Sequence, residues 1–236
     1  MEKYRYLIFD VDDTLLDYGY AYRTAQNRIA ERLNMAYTEQ YAVLDEKCGW
    51  RAWKESGLDN TGQNDIQVNY HRYYYQYHVL HYTYLMEALG KTWDPNLLAE
   101  WYMEIVSDID ALMETDTLYV YRKLASRYRL VLATNALERM QRKRLTVFLP
   151  YTYKIFISET MGYIKPASEF FVRMLDTLEC CPQECLMVGD SWANDILGAK
   201  QVGIDVCYYN RIRKTIYDTI VPEYKIQKIS ELLEIL

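Results

Sequence analysis

Five short apolar runs constrain this chain more than anything else in it. Residues 5–10 (RYLIFD), 128–134 (YRLVLAT), 153–158 (YKIFIS), 185–190 (CLMVGD) and 204–209 (IDVCYY) are bounded by polar residues or glycine and read as buried strands. Stretches with helical periodicity, at 138–148, 168–179 and 193–202, separate the last four. Strand and helix alternating in this way imply a parallel sheet covered on both faces. Between the first and second runs lie more than a hundred residues of helical pattern. Helices are expected near 18–34, 38–57, 63–89 and 94–113, followed by a covering helix at 117–127. Asp17 and Thr38 are the expected N-caps, and Gly57 and Gly90 the expected stops. Tyr70, Tyr73, Tyr77, Leu80 and Tyr84 recur at spacings of three and four, which predicts one packed helical face. The simplest architecture is an α/β core with an all-helical insertion after its first strand. The 236 residues suit one core domain plus such an insertion.

Charge and cysteine usage narrow the function. A formal charge of −6 leaves no basic footprint for a nucleic acid polymer. No run approaches the roughly 20 apolar residues that cross a bilayer, and the N-terminus lacks a signal-peptide core. The cysteines are odd in number, with no C-x-x-C pair, which disfavours a disulfide framework or a zinc site. A soluble, cytoplasmic chain is the expectation. His71, His78 and His81 share a helix without a metal-binding spacing, so structural or exposed roles are expected. Arg211, Arg213 and Lys214 follow the last run and read as a solvated turn, with phosphate steering as the alternative.

Ligands of an open parallel sheet bind beyond the carboxyl ends of its strands. Here those ends carry Asp10-Val11-Asp12-Asp13-Thr14, then Thr134-Asn135, then Lys165-Pro166, then Gly189-Asp190 with Asp195 five residues on. Asp10, Asp12 and Asp190 crowded on one rim would repel, and some would hold protons. A hard divalent cation removes the conflict, and Mg²⁺ commonly binds one or two carboxylates plus a substrate phosphate. Asp10 and Asp12 can supply a nucleophile and a general acid/base from one short peptide, and an aspartate nucleophile forming an aspartyl phosphate is established chemistry.

Together these residues resemble the haloacid dehalogenase-like (HAD) hydrolase superfamily. Its D-x-D-x-T motif is matched by Asp10, Asp12 and Thr14, its lone hydroxyl by Thr134, its Lys by Lys165-Pro166, and its acidic pair by Asp190 and Asp195. The resemblance implies a Rossmann-like parallel sheet core, residues 1–16 and 115–236, with an inserted all-helical cap, residues 17–114. It implies Asp10 as nucleophile, Asp12 as acid and base, and Thr134, Asn135 and Lys165 as phosphate holders. Mg²⁺ would be held by Asp10, the Asp12 carbonyl and Asp190, with Asp195 acting from behind or through water. The implied activity is a Mg²⁺-dependent phosphomonoesterase acting on a small phosphate ester. Asp13, where the family often has glycine, resembles a subgroup of pyrimidine 5′-nucleotidases and points to a nucleoside 5′-monophosphate. A phosphosugar mutase or a phosphoglycolate-type phosphatase is the alternative within the superfamily. A catalytically silent binding protein is the reading from another class.

Overall fold

The computed structural model describes residues 3–216 and 218–236. Two compact units are present. One runs to Tyr18 and continues over Ala111–Glu138 and Leu145–Leu236; the other comprises Gly19–Asp110 and Arg139–Arg144.

In the first unit the strands are β1 (Tyr6–Phe9), β2 (Arg129–Thr134), β3 (Thr152–Ile157), β4 (Cys185–Gly189), β5 (Asp205–Tyr209) and β6 (Tyr224–Ile226). They form one sheet in the order β3-β2-β1-β4-β5-β6, and all pairs are parallel. The first five coincide with the five apolar runs. β6 has no counterpart among the expected strands, because its three residues, YKI, are too few and too polar to show a pattern. Residues alternate across the sheet. Leu7, Phe9, Leu132 and Val188 pack on one face against Tyr121, Leu124 and Phe148. Tyr6, Ile8, Ala133 and Met187 pack on the other against Phe170, Phe171 and Met174. Burial on both faces is what makes the central strands β1, β2, β4 and β5 apolar runs.

The helices are α1 (Tyr18–Arg32), α2 (Glu39–Glu55), α3 (Asn64–Ala88), α4 (Pro95–Ser107), α5 (Thr117–Leu124), α6 (Glu138–Arg144), α7 (Ser158–Met161) and α8 (Ser168–Leu178). Thr38 caps α2 by accepting the Tyr41 N–H at 3.2 Å. Gly57 and Gly90 follow α2 and α3 at φ of +78° and +63°, the left-handed conformation that ends a helix cheaply only for glycine. At the start of α1 the Tyr18 N–H is taken by the Asp13 carboxylate at 3.2 Å. α4 stops six residues before the expected 113. Leu112 bridges to Leu16 and the Met113 N–H donates to the Leu15 carbonyl at 2.8 Å, so these residues pair with the turn after β1 instead of continuing the helix. The stretch expected as one helix over 193–202 is a π-helical turn, Trp192–Leu197, followed by α9 (Gly198–Gln201).

In the helical unit the tyrosine stripe needs correcting. Tyr70 and Tyr77 are buried, but Tyr73, Leu80 and Tyr84 are half-buried, and the packed face of α3 runs through Tyr74, His78, His81, Tyr82, Leu85 and Met86. The hydroxyls of Tyr73 and Tyr84 instead bond the carboxylates of Asp65 and Glu55. A phenol has an apolar body and a polar tip, so tyrosine spacing alone does not define a buried face.

His78 and His81 are fully buried, in keeping with a structural role. His81 Nε2 lies 2.8 Å from Asp45 Oδ1, and Tyr22 donates to Asp45 Oδ2 at 2.9 Å. The His78 ring stacks on Tyr102 at 4.3 Å, and neither of its nitrogens has a hydrogen-bond partner. Burial, and then the neighbouring His81, hold its pKa well below the ordinary 6.5. A base depressed in this way stays neutral when folded while the unfolded chain gains a proton. Its contribution to stability is complete above pH 6.5 and is lost as pH falls from there toward the folded value. His78→Phe is therefore expected to flatten the acid side of the stability curve below that pH, read by urea melts at several pH values. An unchanged acid slope would refute this. Among the described residues no helix is long and apolar enough to cross a membrane.

Candidate active site

β1 lies between β2 and β4, so the chain leaves it toward one side of the sheet first and the other side later. Such a switch in strand order opens a crevice at the carboxyl ends. Asp10 is fixed there: its N–H donates to the Val188 carbonyl at 2.9 Å, one step past the end of β1. The chain then turns tightly. The N–H groups of Leu15 and Leu16 both reach the Val11 carbonyl, at 2.8 and 2.9 Å, and the Asp13 N–H reaches the Leu16 carbonyl at 2.7 Å. Asp13 takes φ of +61° within this turn. Aspartate tolerates that region better than most residues, and glycine would fit it without strain.

Lys165 is the centre of the site. Its buried ammonium donates to Asp10 Oδ1 at 2.6 Å, Asp195 Oδ1 at 2.6 Å and the Ala133 carbonyl at 2.8 Å. That uses its three donors. Burial opposes its charge, but Asp10 and Asp195 outweigh burial and raise its pKa. The backbone of Lys165 is clamped as well. Asn135 Oδ1 accepts its N–H and Asn135 Nδ2 donates to its carbonyl, both at 2.8 Å. One residue on, Ser158 Oγ accepts the Ala136 N–H at 3.0 Å and donates to the Ala136 carbonyl at 3.2 Å.

Asp195, on the π-helical turn, has both oxygens engaged: Oδ1 with Lys165, and Oδ2 accepting the Ser191 N–H at 3.0 Å. Ser191 caps that turn by accepting the Asn194 N–H at 3.3 Å. Gly189 makes room for it, since a Cβ there would stand 2.3 Å from Asp195 Oδ2. Asp190 follows, its N–H donating to Thr14 Oγ1 at 3.2 Å. Thr134 is buried at the last position of β2, and Asp12 sits in the turn after β1.

Asp10, Asp190 and Asp195 bring carboxylate oxygens within 4.8 Å of one another. Burial pushes Asp10 well above the usual carboxylate range; Lys165 opposes that, and Asp195 and Asp190 reinforce it. Burial, then Asp195 and Asp13, push Asp190 up to about 7. Among the described residues no lysine or arginine lies within ion-pair distance of Asp190. An all-oxygen donor set with excess negative charge fits a hard divalent cation rather than zinc.

Direct contacts thus join Asp10, Asn135, Lys165 and Asp195, and Asp190 adds its carboxylate to theirs. Four contributors have no role read from sequence: Thr14, Gly189, Ser158 and Ser191. Thr14 stands inside the D-x-D-x-T pattern and Gly189 precedes Asp190, so both were visible. Nothing in the sequence marks Ser191.

The haloacid dehalogenase-like hydrolase family matches residues 4–203, which hold all of these side chains. The HAD-hydrolase YfnB of Bacillus subtilis (strain 168) is 30% identical, over 100% of this chain and 97% of its own. The chain belongs to the haloacid dehalogenase-like hydrolase family. The crystal structure of YfnB bound to magnesium aligns with this HAD hydrolase at a TM-score of 0.84 and 26% identity, covering 99% of each chain. The pyrimidine 5′-nucleotidase PynA of Streptococcus pneumoniae is 26% identical over 99% of this chain and 95% of its own. A 2-haloacid dehalogenase from Pseudomonas syringae pv. tomato shares the fold at a TM-score of 0.68 and 22% identity, covering 98% of this chain and 97% of that one.

Proposed function

We propose that this HAD hydrolase is a magnesium-dependent phosphomonoesterase that works through an aspartyl phosphate on Asp10, with a nucleoside 5′-monophosphate as substrate. The observation that carries the reading is the buried Asp10–Lys165–Asp195 arrangement beside Asp190, in which the lysine holds Asp10 and favours its charged form against burial and the neighbouring carboxylates. The likeness to YfnB, solved with magnesium, supports the metal, and the likeness to PynA supports the nucleotide.

In the first step an Asp10 oxygen attacks phosphorus, the bond from phosphorus to the ester oxygen breaks, and Asp12 gives that oxygen its proton. In the second, Asp12 takes a proton from water as the water attacks phosphorus, and the bond to Asp10 breaks to restore the carboxylate. The Thr134 hydroxyl and the Asn135 N–H hold the phosphoryl oxygens, with the Lys165 charge beside them while its three N–H donors stay on Asp10, Asp195 and the Ala133 carbonyl. Asp195 braces Lys165 and keeps it charged, which its two engaged oxygens favour over direct metal ligation. Bound by Asp10, Asp190 and the Asp12 carbonyl, Mg²⁺ would supply positive charge against the developing phosphoryl charge.

The direct test is turnover of a phosphate-ester panel before and after exhaustive chelation. Metal-dependent release of phosphate is expected, and full activity without metal would end the proposal in favour of metal-free chemistry. Metal binding also has a predicted pH dependence. A carboxyl raised to about 7 keeps its proton on the acid side, so stability of the metal-free chain falls as pH rises through that value. A cation needs the deprotonated form. The thermal stabilisation given by Mg²⁺ is therefore expected to be small at pH 6 and to grow by pH 8, with proton release seen by calorimetry. A flat profile would contradict the raised Asp190.

Asp12 is tested by leaving group. Expelling an alkoxide needs a proton, and expelling p-nitrophenolate hardly does. General acid help is typically worth ~10²–10⁴-fold, so Asp12→Asn is expected to cost far more on an alkyl phosphate than on p-nitrophenyl phosphate. Pre-steady-state phosphorylation rates decide it. Equal losses on the two esters would show that another residue is the acid.

A further inference from the structure

The connection from β5 to β6 carries Arg211, Arg213 and Lys214 in a chain whose formal charge is −6. β5 runs beside β4 with Tyr208 level with Gly189, so the chain leaves β5 at the rim where Asp190 stands. The connection is braced. Buried Asn210 donates from Nδ2 to the Lys214 carbonyl at 2.9 Å, accepts the Lys214 N–H at Oδ1 at 2.7 Å, and donates its own N–H to the Ile226 carbonyl at 2.7 Å. Beyond it, Trp192 Nε1 donates to Asp218 at 3.0 Å, tying this segment to the turn that carries Asp195. Arg213 is drawn to the β6 side, where its Nε donates to Gln227 at 3.1 Å.

Arg211 and Lys214 are left. Both are exposed, and among the described residues neither side chain makes an ion pair or a hydrogen bond. An unpaired surface cation is ordinary. Two on a loop pinned back to its own first residue, at the rim that holds Asp10, Asp12, Asp13, Asp190 and Asp195, are placed where charge matters. That rim repels a phosphate dianion, and Lys165 is already shared between two of its acids. The two cations also reach those acids electrostatically: against the upward push of burial and like charges, Arg211 pulls Asp13 down and Lys214 pulls Asp190 down.

We infer that Arg211 and Lys214 form an anion guide at the mouth of the site, two braced cations that offset the rim acids and concentrate phosphate monoester dianions there. The inference rests on the phosphomonoesterase reading and adds to it the residues that bring the anion in. The guide acts through charge at a distance, so its effect is salt-dependent, falls on substrate binding more than on the chemical step, and is opposite in sign for a cation.

The test uses the full chain with Arg211→Glu and Lys214→Glu combined, against Arg211→Lys with Lys214→Arg. At low ionic strength the charge reversal is expected to raise KM for a phosphate ester, and the dissociation constant of inorganic phosphate read by calorimetry, by about tenfold, and to leave kcat within about twofold. The difference is expected to fade by about 0.5 M salt, where the Debye length is only a few ångströms. Mg²⁺ binding to the metal-free protein is expected to tighten in the same variant. The charge-preserving pair is expected to match the parent throughout. Unchanged phosphate binding at low salt would overturn the guide, as would a charge-preserving pair as impaired as the reversal, which would show shape at work. Phosphate and Mg²⁺ binding are read without turnover. If the parent hydrolyses no phosphate ester, the phosphomonoesterase reading fails by itself and the binding data still decide the guide.

Discussion

Asp10→Asn is expected to lower kcat by about 10⁴-fold or more while the chain stays folded, because removing one member of a unit that acts on the bond leaves little of its effect. The amide matches the carboxylate in size but has no anionic oxygen to attack phosphorus. The fold should tolerate the change, since Lys165 keeps Asp195 and the Ala133 carbonyl as partners. Losing Asp10 as an ion leaves the buried lysine with one carboxylate, not none. Turnover of a phosphate ester, acid-quench trapping of a phosphorylated parent enzyme, and circular dichroism of the variant check the three parts. A well-folded variant retaining most of kcat would end the aspartyl-phosphate mechanism.

Lys165→Met is expected to damage stability as well as turnover. It strips a shared cation from Asp10 and Asp195, both buried, and breaking a buried pair by removing one partner typically costs about 3–5 kcal/mol. The cost has a pH signature. Without the lysine, burial and the neighbouring carboxylates push Asp10 further toward its protonated form, so the variant should recover part of its stability on the acid side and lose most above neutrality. Lys165→Arg is not expected to restore it. The native ammonium sends three bonds in separate directions from one atom, and a planar guanidinium cannot copy that geometry. Urea melts at pH 5 and pH 8 measure the effect. Equal stability of parent and Lys165→Met at pH 8 would mean that the ion pairs are not holding the site together.

Much of the core could be read from the sequence because its signals are local. A parallel strand buried on both faces is a short apolar run, and the acids, hydroxyl and lysine stand just beyond such runs. That a helical insertion follows β1 was legible, but its phase was not. Along α3 the packed face includes His78 and His81, polar residues that periodicity arguments leave out, and excludes Tyr73 and Tyr84, whose hydroxyls find carboxylates. α3 also carries a non-helical residue, Asn69, near its start, which breaks a single phase for the whole helix. In the site, the identities of the polar residues were visible but their wiring was not. Lys165 reaches one partner 155 positions away and another 30 away, and no local pattern encodes either pairing. Arg211 and Lys214 read as a solvated turn for the same reason: what distinguishes them is the brace at Asn210 and the rim they stand on.

The two clamps beyond β2 have a consequence for how the loop beneath the lysine can change. Asn135 and Ser158 each replace both halves of a ladder rung with a side chain, one holding Lys165 and the other holding Ala136. Consecutive residues, 135 and 136, therefore tether the far and near feet of the segment 158–165. The lysine is indexed to the sheet by its own peptide group, independently of the residues that lead to it. Within the span between the feet, where Gly162 at φ of +74° ends α7, Ile164 is buried and Arg173 holds the Met161 carbonyl at 2.7 Å, so variation is expected at its solvent-facing positions. In engineering language those positions are a faceplate: exchangeable, with the ammonium group left in register.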